Sequence, residues 1–432
     1  MSLATRAGQA PIGEQPGAPS LRTGAKEVPR LLLLAWGSLL LNVLPPYGAA
    51  SFLPIPHAMN QAIAQGSLLV AIVLALLVNP RIVIRPNLFL VLVSTMAVVA
   101  LIVSIHSEFI VGSTYRAIRL CGFVLALWLL TPWWGRRELL LLRVHRLCLW
   151  AAVGSVVLGL VISPGTAMGD QGRLSGTIWP MPAPQVAHYA AVLLGTTALL
   201  WMCRVIGGRH AALAIVVSVA VLLGTHTRTA LLGCVVGLAV GSASLFLGHA
   251  RVRRTSVWTI VTAIVGGTAF APQILGWLAR GQSAQDAAEL TGRTKVWSAA
   301  TEGQRPLVNE LFGNGLSNKS FNGLPVDSNW VATYIDLGWF GIVMQVAFLL
   351  LLLLTAATHV RGLRRATALF LTVYCITASF TEVGPGDASP YLLDLFVAAS
   401  LLAPRPDAVR AWASRARRPS AQRPGGGLQH VQ

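Results

Sequence analysis

Arginine residues at the ends of apolar segments are the first candidates for chemistry in this 432-residue chain. Arg228 opens an apolar stretch within Thr-Arg-Thr-Ala, and Arg173 lies within Gly-Arg-Leu-Ser. Arg116 and Arg119 are three residues apart, on one face of a predicted helix. A guanidinium group offers planar, bidentate donors to phosphate. An arginine at such a position either extends towards lipid headgroups or binds a phosphate, and the two alternatives stay open here.

Acidic and aromatic residues follow in the segment 280–329 and just beyond it. Arg293 and Trp297 share a helical face at i and i+4. Asp327 precedes a long apolar run, and Asp336 lies inside that run. A carboxylate within a membrane helix is costly and indicates function by default, although it can also serve helix packing through a hydrogen bond. For Asp336 both interpretations remain open.

Cysteine and histidine residues do not follow a metal-binding pattern. The five cysteines fall inside apolar runs without CxxC spacing, and His188 and His226 lack partners at metal-ligand spacing. We therefore expect neither a disulfide framework nor a metal or other cofactor.

The elements that must position these residues are membrane helices. Hydrophobic residues make up 54% of the chain and charged residues 11%, with a mean hydropathy of +0.65, whereas a soluble domain carries about 25% charged residues. Each helix that crosses a bilayer needs roughly 20 mainly apolar residues, and the alternation typical of barrels is absent. The sequence predicts an all-α polytopic membrane protein with about twelve transmembrane helices. These are Leu31–Leu53, Gln61–Val78, Leu88–Ile105, Ala117–Trp134, Leu147–Ile162, Val186–Val205, Ala211–Gly224, Thr229–Leu247, Val257–Ala279, Trp330–Ala356, Ala366–Phe380 and Pro390–Ala403.

The distribution of Lys and Arg predicts the orientation. The net charge of +18 comes mostly from residues between apolar runs, which indicates membrane topology rather than nucleic-acid binding. With the N-terminus inside, every cytoplasmic segment carries at least two basic residues, and both termini are cytoplasmic. A large outer loop, 280–329, separates the ninth and tenth spans. Nine basic residues fall on the outer side: Arg116, Arg119, Arg173, Arg228, Arg280, Arg293, Lys295, Arg305 and Lys319.

Two polar ends flank the membrane domain, residues 30–403. Residues 1–29 are rich in Gly, Pro, Ala and Gln, and residues 404–432 are rich in Arg and end in a Gly-rich stretch. Both compositions predict disordered cytoplasmic tails, which the anionic membrane lipids would attract.

The motifs taken in order resemble the O-antigen ligase and O-antigen polymerase superfamily of polytopic membrane glycosyltransferases. They are Arg-x-x-Gly-Thr from Arg173, Thr-Arg-Thr-Ala-Leu-Leu around Arg228, Gly-Arg-Thr-Lys-Val-Trp around Arg293, Leu-Phe-Gly-Asn-Gly-Leu from 311, and Asp-Leu-Gly-Trp-Phe-Gly from Asp336. The resemblance covers roughly 173–354 in motifs and the whole chain in topology. Two departures stand out. Asp327-Ser328 replaces the usual His-Asn of the ligases, and Trp-Pro-Met-Pro-Ala-Pro from 179 replaces the usual Pro-Asn.

The resemblance implies a metal-independent, inverting glycosyltransferase at the outer face of the cytoplasmic membrane. Its donor would be a polyprenyl-diphosphate-linked glycan and its acceptor a glycan or a lipid-linked sugar, with ligase and polymerase activity both open. Arg228 and Arg293 would then hold the diphosphate and Asp327 would take the acceptor proton. Arg173, Arg116, Arg119, Asp336 and Trp297 would contribute to substrate binding.

Two other classes of protein compete with the enzyme. A transporter or flippase of lipid-linked sugars is the main alternative, although it would often show paired repeats and interrupted helices, and no convincing repeat is visible. A non-catalytic scaffold of a polysaccharide assembly complex is the third possibility.

Overall fold

The fold is known from a computed structural model. It describes residues 29–44, 56–135, 139–169, 172–279, 293–301, 305–317, 319–321 and 324–404. The two predicted tails therefore lie outside the described residues, apart from Pro29 and Pro404, and so does the whole loop segment 280–292.

Helices dominate the described chain, and the strands are limited to one short antiparallel pair. The helices are α1 (Arg30–Val43), α2 (His57–Val78), α3 (Leu88–Ile105), α4 (Ile110–Leu129), α5 (Leu140–Ile162), α6 (Pro164–Ala167), α7 (Ala183–Met202), α8 (Gly208–Gly224), α9 (Arg228–Leu245), α10 (Ala250–Ala269), α11 (Ala271–Ala279), α12 (Arg293–Thr301), α13 (Leu307–Phe312), α14 (Asn329–Thr358), α15 (Leu363–Ala378) and α16 (Pro390–Leu402). A 3₁₀ turn, Thr131–Trp133, follows α4, and strand β1 (Ser320–Phe321) pairs with β2 (Leu324–Pro325).

Seven of these helices are long and apolar enough to cross a membrane, and the bent pair α10 and α11 gives an eighth candidate. Helices α1, α8 and α16 are apolar but shorter. The prediction of an all-helical chain with many apolar spans is therefore confirmed, whereas the number twelve stays a prediction.

Two predicted spans have different shapes in the structure. The ninth, Val257–Ala279, is not one straight helix, because α10 and α11 meet at 86°. Pro272 follows the break, and its ring nitrogen cannot donate the hydrogen bond that would continue α10. The first predicted span extended to Leu53, but α1 ends at Val43 and Leu44 is extended, as expected for a residue before Pro45; residues 45–53 lie outside the described residues.

The centre of the bundle is formed by α16 and α7. Twelve residues of α16, from Tyr391 to Leu402, are buried, and so is most of α7. Phe396 of α16 packs against Trp36 of α1 and Trp134, with ring centroids 5.7 and 4.9 Å apart. Such an all-round apolar helix fits only an interior position.

Small residues bring α9 and α15 close together. Gly233, Gly237 and Gly241 recur every fourth residue on α9, and they face Phe370 and Tyr374 of α15. A Cβ atom on Gly237 would lie 2.9 Å from the Phe370 carbonyl oxygen. This spacing is the small-residue pattern that lets membrane helices pack without side chains between their backbones.

The contacts divide the helix ends between two faces of the bundle. On one face, called the loop face here, Asn42 near the end of α1 bonds Arg119, midway along α4, and Thr229 of α9 bonds Thr381 after α15. On the opposite face, Asn79 bonds the Leu129 carbonyl, and Gly135 donates to the Ser400 carbonyl. The described residues of the segment 305–328 lie on the loop face, where the Ser113 hydroxyl of α4 donates to the Leu316 carbonyl.

Helix α14 is interrupted on the loop face, and the interruption holds the 305–317 segment. Gly338 has φ 60° and ψ −156°, a conformation that is essentially restricted to glycine. Gly313 packs into this break, since a Cβ atom there would lie 2.2 Å from the Asp336 carbonyl carbon. Asn314 N–H and Gly315 N–H donate to the freed carbonyls of Ile335 and Asp336, both at 3.0 Å.

Candidate functional site

Two cavities open on the loop face, and Arg116 lines both of them. The larger, called the apolar groove, has a volume of about 1430 Å³ and runs between α3, the start of α4 and α13. Exposed apolar side chains of α3 and α4, including Ile102, Phe109 and Val111, form its outer wall. Arg116 and Arg305 provide its positive charge. The groove therefore combines an apolar wall with two arginines and one carboxylate, Glu108.

The smaller cavity, called the polar cavity, has a volume of about 570 Å³. It lies between α1, α2, α4, α7 and the segment that joins α15 to α16. Its polar and charged lining includes Gln61, Gln65, Arg116, Arg119, Gln185, His188, Glu382, Asp387 and Tyr391. Amides, hydroxyls, carboxylates and guanidinium groups of this kind suit a ligand rich in hydroxyl groups.

The two arginines of α4 differ in what they do. The Arg119 Nε atom donates to Asn42 Oδ1 at 3.2 Å, and another guanidinium nitrogen donates to the Asn42 carbonyl at 2.9 Å. Arg119 therefore fixes the end of α1 as well as lining the polar cavity. Arg116 is half-buried and makes no hydrogen bond or ion pair within the described part of the chain, so its donors stay available to a ligand.

Asp336 is a buried structural anchor. It is 0% exposed, its Oδ1 accepts from Ser317 N–H at 3.0 Å, and its Oδ2 forms an ion pair with Lys319. Lys319 also lies 3.9 Å from Asp387. Burial alone would lower the pKa of Lys319, but the carboxylates of Asp336 and Asp387 outweigh it and raise that pKa, against the repulsion of Arg116. These contacts fit the packing role, one of the two interpretations of Asp336 that the sequence left open, and the substrate-binding role stays a prediction.

Arg173 and Arg228 lie on the loop face but line neither cavity. Arg173 donates from Nε to the Thr225 carbonyl at 3.0 Å and from a terminal nitrogen to Thr227 Oγ1 at 3.2 Å. These bonds hold the turn from which α9 starts, with Arg228 as its first residue. In the same turn His226, at φ 51°, stacks on Trp277 of α11 with centroids 5.3 Å apart.

The remaining predicted residues lie in and after the large loop. Arg293 is the first residue of α12, and its side chain lies outside the described residues. Trp297 of α12 is half-buried, and α12 packs on α14. Asp327 is half-buried, directly before the first turn of α14, and it does not line either cavity. The catalytic roles of Arg293 and Asp327 stay predictions.

Sequence reasoning missed a cluster of polar residues inside the bundle. His145 of α5 and His188 of α7 place their Nε2 atoms 2.8 and 3.1 Å from the two oxygens of Asp394 on α16. Trp36 Nε1–H donates to His145 Nδ1 at 3.1 Å, and the Tyr374 hydroxyl lies 3.1 Å from His188 Nδ1. All five side chains are almost completely buried. The signal was Asp394 itself, an acidic residue within a predicted membrane span.

Arg305 is a second residue that the predictions passed over. Its guanidinium carbon lies 5.1 Å from the centroid of the Tyr334 ring, a cation–π distance. That contact holds Arg305 at the apolar groove, which Arg116 also lines.

Comparison with known proteins adds no identification. No known protein family matches this chain, and no curated protein sequence matches it. The function must therefore be argued from the residues and the cavities alone.

Proposed function

We propose that the chain is a glycosyltransferase of about twelve spans that elongates or ligates glycans carried on a polyprenyl diphosphate. It would work at the outer face of the cytoplasmic membrane, with both termini in the cytoplasm and the loop face outwards. The observation that carries the proposal is the arrangement of the two cavities around Arg116. The order of motifs from Arg173 to Asp336 supports the same class of enzyme.

The apolar groove suits the lipid part of such a donor. A polyprenyl chain would lie along the apolar wall of α3 and α4, where Phe109 and Val111 are exposed. The diphosphate of this donor would be bound by Arg116 and Arg305, the two arginines of the groove. Guanidinium groups there would also stabilise the charge that develops on the leaving diphosphate, so that no metal is required.

The polar cavity suits the sugars. In an inverting displacement the acceptor oxygen forms a bond to the anomeric carbon, the bond from that carbon to the diphosphate breaks, and the acceptor proton passes to a carboxylate. Asp327 is the base that the resemblance implies. Asp387 is the second candidate, one of the two carboxylates, with Glu382, that line the polar cavity together with Arg116. The two candidates make different predictions for variants.

Binding of undecaprenyl diphosphate tests the groove. We expect the purified protein in detergent to bind undecaprenyl diphosphate and to bind undecaprenol at least tenfold more weakly, because only the diphosphate engages Arg116. The variant Arg116→Ala should lose that preference, while Arg361→Ala, an exposed arginine outside both cavities, should keep it. Equal binding of both lipids by the wild type would overturn the assignment of the groove.

Substitution of the acids tests the base. Asp327→Asn and Asp387→Asn should leave the amount of folded protein in the membrane unchanged. If Asp327 is the catalytic base, only Asp327→Asn should abolish glycan transfer; if Asp387 is the base, only Asp387→Asn should do so. Arg228 and Arg293 are the diphosphate clamps that the resemblance implies, as an alternative to Arg116 and Arg305 of the groove. If that alternative holds, Arg293→Ala and Arg228→Ala should each abolish transfer, whereas Arg116→Ala should not. Normal glycan chain length in all four variants would exclude this mechanism.

A transporter of lipid-linked sugars is the second candidate, and the Asp394 cluster is the observation that favours it. Ionisable residues inside membrane helices often mark ion pathways in transporters. The same cluster lies next to the polar cavity, since His188 lines that cavity.

A further inference from the structure

We infer that His188 and Asp394 form a proton-binding site inside the membrane bundle, loaded from the polar cavity of the loop face and closed towards the opposite face. The inference does not depend on the glycosyltransferase assignment. It rests on the hydrogen-bond pattern, the charge balance and the access route of the cluster.

The hydrogen bonds assign the protons of His145. An indole nitrogen is a donor only, so the bond from Trp36 Nε1–H to His145 Nδ1 requires an unprotonated Nδ1. The ring proton of His145 therefore lies on Nε2, which faces Asp394 Oδ1 at 2.8 Å. His145 is held as a neutral imidazole in one tautomer.

The net charge of the cluster of Asp394, His145 and His188 then depends on His188. Asp394 is 0% exposed. Within the described residues its two oxygens accept no hydrogen bond, and their charged contacts are the Nε2 atoms of His145 and His188, at 2.8 and 3.1 Å. An unpaired carboxylate in such an interior is strongly unfavourable. Since His145 is neutral, the cluster reaches zero net charge when His188 carries a proton on both ring nitrogens, one towards Asp394 and one towards the Tyr374 hydroxyl.

The aromatic surroundings of His188 favour the same charged form. Its ring centroid lies 4.2 Å from that of Tyr391, 5.4 Å from that of Tyr374 and 5.5 Å from that of Tyr189. A cation near aromatic rings is attracted by their electron-rich faces. Three tyrosine rings from three helices therefore surround the proposed imidazolium.

Other ionisable groups face the site from each neighbouring element. They are His145 of α5, Tyr189 of α7, Tyr374 and Cys375 of α15, Tyr391 and Asp394 of α16, Cys234 of α9, and Arg116, Arg119, Glu382 and Asp387 around the polar cavity. Asp394 is the acid in direct contact with His188 in this set. A second proton on His188 would therefore be compensated mainly by the charge of Asp394.

Within the described residues, the access route to His188 lies on the loop face. His188 and Tyr391 line the polar cavity on the loop face. On the other side the network continues to His145 and ends at Trp36, and an indole N–H that already donates cannot pass a proton onwards. The site should therefore bind a proton from the loop face without conducting it across the membrane.

Nitrogen-15 NMR of histidine-labelled full-length protein in micelles tests the inference between pH 5 and pH 8. The variants His145→Gln and His188→Gln assign the two signals, and His210→Gln, at an exposed position, is the control. We expect a neutral Nε2–H tautomer for His145 at every pH and a doubly protonated ring for His188 at the acidic end. Asp394→Asn should abolish the doubly protonated His188 signal in the same range.

A His188 signal that is neutral throughout, or that is unchanged in Asp394→Asn, would overturn the inference. Proteoliposomes carrying an internal pH dye test its second part. We expect an imposed pH gradient to decay equally with wild type and with Asp394→Asn. Faster decay with wild type would show that the site conducts protons. Neither result depends on glycan transfer. The proton-binding site can therefore be refuted while the proposed function holds, and the proposed function can be refuted while the proton-binding site holds.

Discussion

The ion pair between Lys319 and Asp336 allows a prediction in which both partners can be removed separately. The variant Lys319→Met leaves the Asp336 carboxylate, 0% exposed, without its cation. Breaking a buried ion pair in this way typically costs about 3–5 kcal/mol, since a charge stays buried without compensation. Lys319 is 19% exposed and Arg116 lies nearby, so we expect the lower end, about 3 kcal/mol of unfolding free energy.

The double variant separates charge from packing. In Asp336→Asn with Lys319→Met no buried charge remains, and the amide oxygen can still accept from Ser317 N–H, as the carboxylate does. Replacing both partners of a buried pair with neutral groups is often close to neutral. We expect the double variant to recover to within about 1 kcal/mol of the wild type.

Reversible unfolding in mixed detergent micelles, with increasing dodecyl sulfate, measures these differences. Arg361→Gln is the control, because Arg361 is exposed on the opposite face, and it should stay within about 0.5 kcal/mol of the wild type. If Lys319→Met were as stable as the wild type, or if the double variant were less stable than Lys319→Met, the anchoring role of Asp336 would be refuted.

The pKa of Lys319 predicts how the difference in unfolding free energy between wild type and Lys319→Met depends on pH. That pKa is raised in the folded protein because the Asp336 and Asp387 carboxylates outweigh the effect of burial. The stabilisation is therefore fully present below the ordinary lysine value of about 10.4 and is lost only as pH rises through the raised value. The difference in unfolding free energy between wild type and Lys319→Met should be constant from pH 7 to pH 9. A difference that disappears within this range would contradict the ion pair between Lys319 and Asp336.

Glycine substitutions give the remaining predictions. Gly338→Ala should destabilise the protein by about 3 kcal/mol or more, because the conformation is strained for other residues and the new Cβ atom would lie 2.4 Å from the Glu310 carbonyl oxygen. Gly154→Ala is the matched control: it lies within α5 with nothing within 4 Å of the new atom, so it should be neutral or stabilising by up to about 1 kcal/mol. Gly237→Ala should cost about 1–3 kcal/mol, because the Cβ atom meets the Phe370 carbonyl at 2.9 Å. Unfolding in the same mixed micelles measures all three, and a Gly338→Ala protein as stable as Gly154→Ala would contradict the interrupted α14.

Hydropathy alone could locate the helices, because each must contain a long apolar run to cross a bilayer. Their irregularities were harder to predict. The break before Pro272 had a visible cause in the sequence, whereas the break at Gly338 depends on Gly313 packing into it from a segment 25 residues earlier.

Single residues in the candidate site were predicted to different extents. Arg116 was expected near a ligand, and it lines both cavities. Arg119 and Arg173 were also expected to bind substrate, but they donate to backbone carbonyls whose positions no sequence spacing reveals. His188, Asp394 and His145 are far apart in the chain, and only the packing of α5, α7 and α16 brings them together.

Glycosidic bond formation by the purified protein tests the central claim most directly. The protein in detergent, without any vesicle or gradient, would be mixed with an undecaprenyl-diphosphate-linked oligosaccharide from the cells that make the protein. The account predicts a longer or transferred glycan together with released undecaprenyl diphosphate, and no product with Arg116→Ala. Unchanged glycolipid in detergent, combined with movement of the same glycolipid across the membrane of proteoliposomes, would contradict it in favour of a transporter.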